Sequence, residues 1–366
     1  MKKFLALILA AVMALSLVAV ASAEETLAVA MITDYGDITD QSFNQTTYEA
    51  CKAYCEANNV KFTYYKPAGD SDAERIASIE LAINDGFNVL VMPGYAFGGA
   101  ISATVNDYED IIFIGLDVSA GDLTIDTVPA NLYCAVYQEE LCGYMAGYAA
   151  VKLGYKHLGF LGGMAVPAVV RYGYGFVQGA DAAAAADGKT DVTVEYVYGN
   201  QFFGDADITA YMDTWYQTLG VEVVFACGGG IFTSAGEAAA KVGGKVIGVD
   251  VDQSFTINGM YGEGMTVTSA MKGLAATVNT MLAKVQAGEF EGGKVDNLGL
   301  VSADPAANYV QIPETTQFVD GQFTAADYAA LVADMFAGNV TVSNDTTVTA
   351  ASLATVAAVN EYGNIK

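Results

Sequence analysis

Val221–Asp250 reads VEVVFACGGGIFTSAGEAAAKVGGKVIGVD. It opens with an apolar run of strand length, Val221–Ala226, and closes with another, Lys245–Asp250. Between them stand Gly228, Gly229 and Gly230, then a helical stretch near Thr233–Val242. Strand, glycine turn, helix and strand make one β-α-β unit. Such units imply a parallel sheet covered by helices on both faces. Taken alone, the glycines suit either a phosphate cradle or the close approach of backbone to any ligand.

The same alternation runs outward in both directions. Strands are predicted at Thr26–Thr33, Val60–Lys66, Phe87–Met92 and Ile111–Asp117, and again at His157–Gly162, Val192–Tyr198, Val221–Ala226 and Lys245–Asp250. Helices are predicted between them, near Ser42–Asn58, Asp70–Asp85, Gly99–Tyr108, Val136–Leu153, Val169–Ala186, Asp205–Leu219 and Thr233–Val242. Each half holds about four units. Val118–Asn131, with Gly121, Pro129 and several acids, has linker character. The expected fold class is therefore α/β, two doubly wound parallel-sheet lobes joined by a hinge. The first lobe is expected over residues 24–131, with about 271–290 returning to it. The second is expected over 132–270, with about 291–312. Residues 313–366 form a C-terminal extension whose packing the sequence does not assign; 341–358 is rich in Thr, Val, Ser and Ala.

Lys2 and Lys3 precede an apolar run, Phe4–Ala21, and then Ala21-Ser22-Ala23. That is a secretory signal peptide over residues 1–23, with a membrane anchor as the alternative. An exported protein, periplasmic or at the cell surface, is expected. The first cysteine is Cys51, so no lipobox cysteine follows Ala23. The net charge of −26 repels nucleic acid and anionic membranes, so neither is an expected partner. Apolar residues make up 53%, enough to bury two cores. The five cysteines lie in apolar contexts and read as buried free thiols rather than a disulfide framework. A monomer is expected.

In open α/β sheets, ligands sit beyond the C-terminal ends of the strands. Asp34 follows the first strand, Asp117 ends IIFIGLD, Asp250 ends KVIGVD, and the three glycines follow VEVVFAC. Near Asp34, the stretch ITDYGDITDQSFNQ (Ile32–Gln45) crowds three aspartates, Phe43 and Asn44. Those residue types suit a metal cage, catalytic acids, a cradle for a small polar ligand, or a solvated turn with a helix cap. Asp37 reads as solvated, and Asp40 or Ser42 as the cap of the helix that starts at Phe43. The spacing is not that of an EF-hand loop, so no metal is expected. His157 is the one histidine and leaves no basis for a triad. ADGKT (Ala186–Thr190) has Ala183 where a P-loop needs glycine, and no G-x-S-x-G elbow occurs. No catalytic residue and no cofactor are expected, though a carboxylate-based hydrolase remains an alternative.

Five blocks in order resemble the basic membrane protein family, the PnrA-like substrate-binding proteins of ABC transporters with a type I periplasmic-binding-protein fold. They are DYGDITDQSFNQTTYEA, NLYCAVYQEELCGYMAGYAA, LGFLGGMAVPAVVRYGYGFVQGA, VIGVDVDQ and TVTSAMKGL, within a resemblance spanning about residues 26–312. The resemblance implies a purine nucleoside clamped between the lobes and delivered to an ABC permease, with a sugar or sugar-like signal as the alternative. It implies stacking by Phe43 and by Phe202 or Phe203, with Phe203 preferred. It implies that Asp34 and Asn44 meet the base edge, and that Asp117, Asp250, Lys272 and Gly229 hold the ribose.

Overall fold

The computed structural model describes residues 27–366; the expected signal peptide lies outside the described residues. The first sheet holds β1 (Ala28–Ile32), β2 (Lys61–Tyr65), β3 (Val89–Pro93), β4 (Ile112–Leu116), β5 (Leu132–Tyr137) and β11 (Lys294–Leu298). Their order is β11-β5-β4-β3-β1-β2, and every pairing is parallel. The second holds β6 (His157–Gly162), β7 (Thr193–Tyr198), β8 (Val223–Cys227), β9 (Lys245–Asp250), β10 (Thr266–Lys272), β12 (Val310–Gln311) and β13 (Ala358–Asn364). Its order is β12-β10-β9-β8-β6-β7-β13, with β12 antiparallel. Strands β1, β3 and β8 are buried throughout, because helices cover both faces; hence their unbroken apolar runs.

The boundary between lobes differs from the expected one. Leu132–Tyr137 continues the first sheet by pairing with β4, so the first lobe extends past residue 131 and Val118–Asn131 is a loop inside it. Lys294–Leu298, expected in the second lobe, pairs with β5 in the first. The hinge is therefore three crossings rather than one linker. The chain passes from β5 into α4 (Glu139–Lys152), from β10 into α9 (Leu274–Gln286), and from β11 to β12. Backbone bonds tie the crossings together: Gln138 N–H to the Leu298 carbonyl at 2.9 Å, and Gly273 N–H to that of Tyr309 at 2.7 Å. Helix α9 returns to the first lobe, where Tyr54 on α1 (Phe43–Asn58) donates to Gln286 at 2.5 Å.

Helix α4 lies against α5 (Pro167–Asp187) at backbone contact. A Cβ on Gly143 would fall 2.2 Å from the Tyr172 carbonyl oxygen, one on Gly147 2.1 Å from that of Phe176, and one on Gly175 2.0 Å from that of Glu140. Glycines four apart on both helices thus set the distance between them, as small residues do wherever helix backbones touch. This close approach brings Glu139 on α4 to Arg171 on α5, 2.7 Å apart. All five cysteines are free and buried.

The C-terminal extension is part of the second lobe. Helix α10 (Ala325–Phe336) begins with a capping box formed by Thr324 and Asp327. Beyond it the chain runs along one face of α5. Tyr174 donates to the Val348 carbonyl at 2.6 Å, Gln178 exchanges bonds with the Ser343 backbone, and Asp181 accepts from the N–H groups of Thr355, Val356 and Ala357. Strand β13 then pairs with β7. Burial opposes the Asp181 charge, but the three N–H donors outweigh it and hold its carboxyl below the ordinary value. A depressed carboxyl pKa adds stability above the unfolded value, and that stability is lost as pH falls through the folded one. Asp181→Ala is expected to cost about 3 kcal/mol at neutral pH, since it leaves backbone donors unpaired. Urea denaturation should show the deficit shrinking below about pH 4.

Candidate functional site

The strands of both sheets end at one cleft between the lobes, a cavity of about 720 Å³. All eight residues singled out from the sequence border it: Asp34, Phe43, Asn44, Asp117, Phe203, Gly229, Asp250 and Lys272. Their reach follows from position. Asp34 lies two residues beyond β1, Asp117 directly follows β4, Asp250 ends β9, and Lys272 ends β10. Asp117 and Asp250 share an unusual backbone, with φ of 58° and 65°. A branched or bulky side chain would be strained there, and aspartate is among the few non-glycine residues that enter that region readily.

The start of α1 divides the crowded aspartates. Asp40 caps the helix, accepting from the N–H groups of Ser42, Asn44 and Gln45. Ser42 makes no cap; its hydroxyl donates across the cleft to Asp250 at 2.6 Å. Asp37 is exposed and pairs with Lys66. Asp34 accepts from Gly36 N–H at 2.6 Å and from Asn44 Nδ2 at 3.1 Å. Burial outweighs those bonds and pushes its carboxyl up to about 6. Asn44 Nδ2 also donates to Asp40 at 3.2 Å. Two carboxylate partners fix the amide nitrogen, and so its oxygen; Asn44 Oδ1 is buried without a partner among the described residues.

At the hinge side stands a buried charge cluster. The Lys272 ammonium lies 2.5 Å from Asp117, 3.5 Å from Glu139 and 3.6 Å from Asp250. Burial weakens its hold on the proton, but the three carboxylates more than reverse that and keep it charged. Rings surround it: Phe43 at 4.7 Å, Tyr137 at 5.6 Å and Tyr172 at 5.7 Å from ammonium to centroid. Asp250 is satisfied within the protein by Ser42 and Tyr172. Asp117 is not: burial raises its carboxyl despite Lys272, and its Oδ1 has no partner among the described residues. Sequence reasoning missed Glu139, Arg171 and Tyr172 here. The glycine spacing of α4 and α5 is the one signal in the sequence that points to their ends meeting.

The second lobe supplies the aromatic wall. Phe202 stacks on Tyr35 of the first lobe, with centroids 5.9 Å apart and planes 24° from parallel. Phe203 also borders the cleft but is 61% exposed, so the ring facing the first lobe is its neighbour. The glycines explain how that ring fits. A Cβ on Gly163 would fall 2.5 Å from the Phe202 ring and one on Gly228 2.9 Å, while Gly230 N–H donates to the Phe202 carbonyl at 2.8 Å. Near the rim, Gln41, itself left-handed at φ 58°, accepts at its carbonyl from Gln253 at 3.0 Å and at its side chain from Thr256 at 3.3 Å.

The family model for PnrA-like ABC transporter substrate-binding proteins matches residues 27–322. The chain belongs to that family. Its relatives include the ABC transporter nucleoside-binding protein BmpA of Lactococcus lactis, 26% identical over 81% of this chain and 88% of the relative. Basic membrane protein B of Borreliella burgdorferi is 26% identical over 80% of this chain and 86% of its own. Two solved ABC transporter solute-binding proteins share the fold. That of Aeropyrum pernix has a TM-score of 0.66 at 20% identity, covering 89% of this chain and 90% of that one. That of Conexibacter woesei has 0.67 at 20% identity, covering 87% and 99%. PnrA-like proteins are extracytoplasmic substrate-binding proteins rather than enzymes. Among the described residues, no helix is long and apolar enough to cross a membrane.

Proposed function

We propose that this PnrA-like protein is exported, captures a purine nucleoside in the interlobe cleft and hands it to an ABC permease without altering it. The observation that carries the reading is the two kinds of lining that the cleft brings together. The flat rings of Tyr35 and Phe202 and the Asp117–Lys272 cluster, whose Asp117 Oδ1 has no partner among the described residues, line the same cavity. A nucleoside joins a flat π-face to hydroxyl donors in one molecule, and stacking with carboxylate acceptance suits both parts. The name of the Lactococcus relative agrees with it. Asp250 and Gly229 would then shape the sugar end more than bond to it, and Phe43, which the family resemblance assigns to base stacking, lies at that end with its ring 4.7 Å from the Lys272 ammonium. The acidic cluster disfavours a 5′-phosphate, so nucleosides are preferred to nucleotides.

The base edge has a direction. Asp34 when ionised and Asn44 Oδ1 are both acceptors, so the edge that meets them must donate twice. Guanine offers adjacent ring N–H and amino donors, whereas hypoxanthine offers only the ring N–H. Calorimetry is expected to show guanosine about tenfold tighter than inosine, the worth of one buried hydrogen bond. Affinity should rise between pH 5 and 7.5. Asp34 and Asp117 have carboxyls raised by burial toward about 6, donors stabilise the ionised forms, and binding therefore releases protons. Heat with a sugar but with no nucleoside would overturn the nucleoside reading and leave a sugar receptor.

A further inference from the structure

The last residues of the chain reach the loop that carries the aromatic wall. Strand β13 pairs with β7 in a register that sets Asn364 opposite Tyr198, the final residue of β7. Ile365 N–H donates to the Tyr198 carbonyl at 2.8 Å, and its side chain packs against the core around Trp215. Tyr198 leads into the Gly199–Asp205 loop, where Asn200 is held at φ 59°. One residue further on, the Lys366 ammonium pairs with Asp205 and lies 3.5 Å from Asp207.

Asp205 is a junction. It accepts from the N–H groups of Asp207 and Ile208, which caps α6 (Ala206–Thr214), and from Gln201 Nε2 at 2.7 Å. Gln201 Nε2 in turn donates to the Phe203 carbonyl at 2.8 Å. On its inner side the loop is pinned by Gly230 to the Phe202 carbonyl. Gly199 and Asn200 N–H donate to the Gly162 and Gly163 carbonyls, and Asp205 N–H to Ser234; Ile365 and Lys366, which lie beyond residue 322, where the family match ends, add a hold at Tyr198, where the loop starts, and at Asp205, where it ends. An isolated surface ion pair contributes little. Here it acts on a carboxylate that also fixes a helix cap and a loop glutamine, in a segment with one left-handed residue.

We propose that Ile365 and Lys366 are positioning residues for the cleft: the C-terminal strand buttresses the Gly199–Asp205 loop and so sets how firmly Phe202 is held. The proposal rests on the cleft being a ligand site, and its test separates the two. Lys366→Glu places a like charge against Asp205 and Asp207. It is expected to weaken guanosine binding about fivefold, the upper range for one exposed pair. Amide exchange across Gly199–Asp205 should quicken. Lys366→Arg should restore both. Trp215, the one tryptophan, lies 6.3 Å from the Tyr362 ring, so unchanged emission would show β13 still seated in the Glu variant. Asp181→Ala, which loosens the extension elsewhere, should lower stability and leave affinity within about twofold. Wild-type affinity and exchange in Lys366→Glu would overturn the buttress. So would an affinity loss that merely tracks stability in both variants. If the unaltered protein takes no nucleoside, the ligand reading fails and loop exchange alone decides the buttress.

Discussion

Lys272→Met is expected to abolish ligand binding and to cost about 3–5 kcal/mol of stability at pH 7. The ammonium is buried among Asp117, Glu139 and Asp250, and of these only Glu139 forms an ion pair with a second cation among the described residues, Arg171. Removing the positive charge leaves like charges facing one another where water cannot screen them. The sign of the pH dependence follows. Without Lys272 the folded-state carboxyl of Asp117 rises further above its unfolded value, so the folded form takes up a proton that the unfolded chain does not hold. The deficit should therefore shrink as pH falls from 7 to 5. Urea denaturation at both values measures it, and Lys272→Met combined with Asp117→Asn should recover part of the loss. Undiminished stability at pH 7 would mean that the cluster is neutral or hydrated.

Phe202→Ala is expected to weaken ligand binding by about a hundredfold, from lost stacking and from the hollow it opens against Gly163 and Gly228. Phe203→Ala should change affinity by less than about threefold, since an exposed ring at the rim has little contact to lose. Calorimetry on the two variants, with melting curves to confirm folding, decides between neighbouring residues. Equal losses would restore Phe203 to the role that the family resemblance favours.

How much of this was legible in the chain depends on the kind of contact. Strands β1, β3 and β8 stand out because burial on both faces writes them as continuous apolar runs. Strand β5 does not, because Leu132–Tyr137 runs almost directly into the apolar helix α4 and periodicity cannot divide the two. Strand β11 is half-buried and polar at the sheet edge, so it carries no such signal. Within the site, Asp34, Asp117 and Asp250 could be placed from strand ends alone. Lys272 came only through the family resemblance, because β10 was not read as a strand. Ser42 and Asp250 lie 208 residues apart, and nothing in either neighbourhood points to the other. The extension grips α5 largely through its own backbone groups, which every sequence has, so its side chains could not announce the contact.

The bonds that Gln41 makes to Gln253 and Thr256, like that from Ser42 to Asp250, join protein to protein across the cleft and owe nothing to the solute. They bear on time rather than on choice. A solute enclosed behind them leaves only after they part, so its dwell time reports the rate at which the lobes separate. Loosening Gln41 would hasten release of every solute alike while leaving their ranking intact. The pace of release can thus be tuned apart from what the cleft recognises.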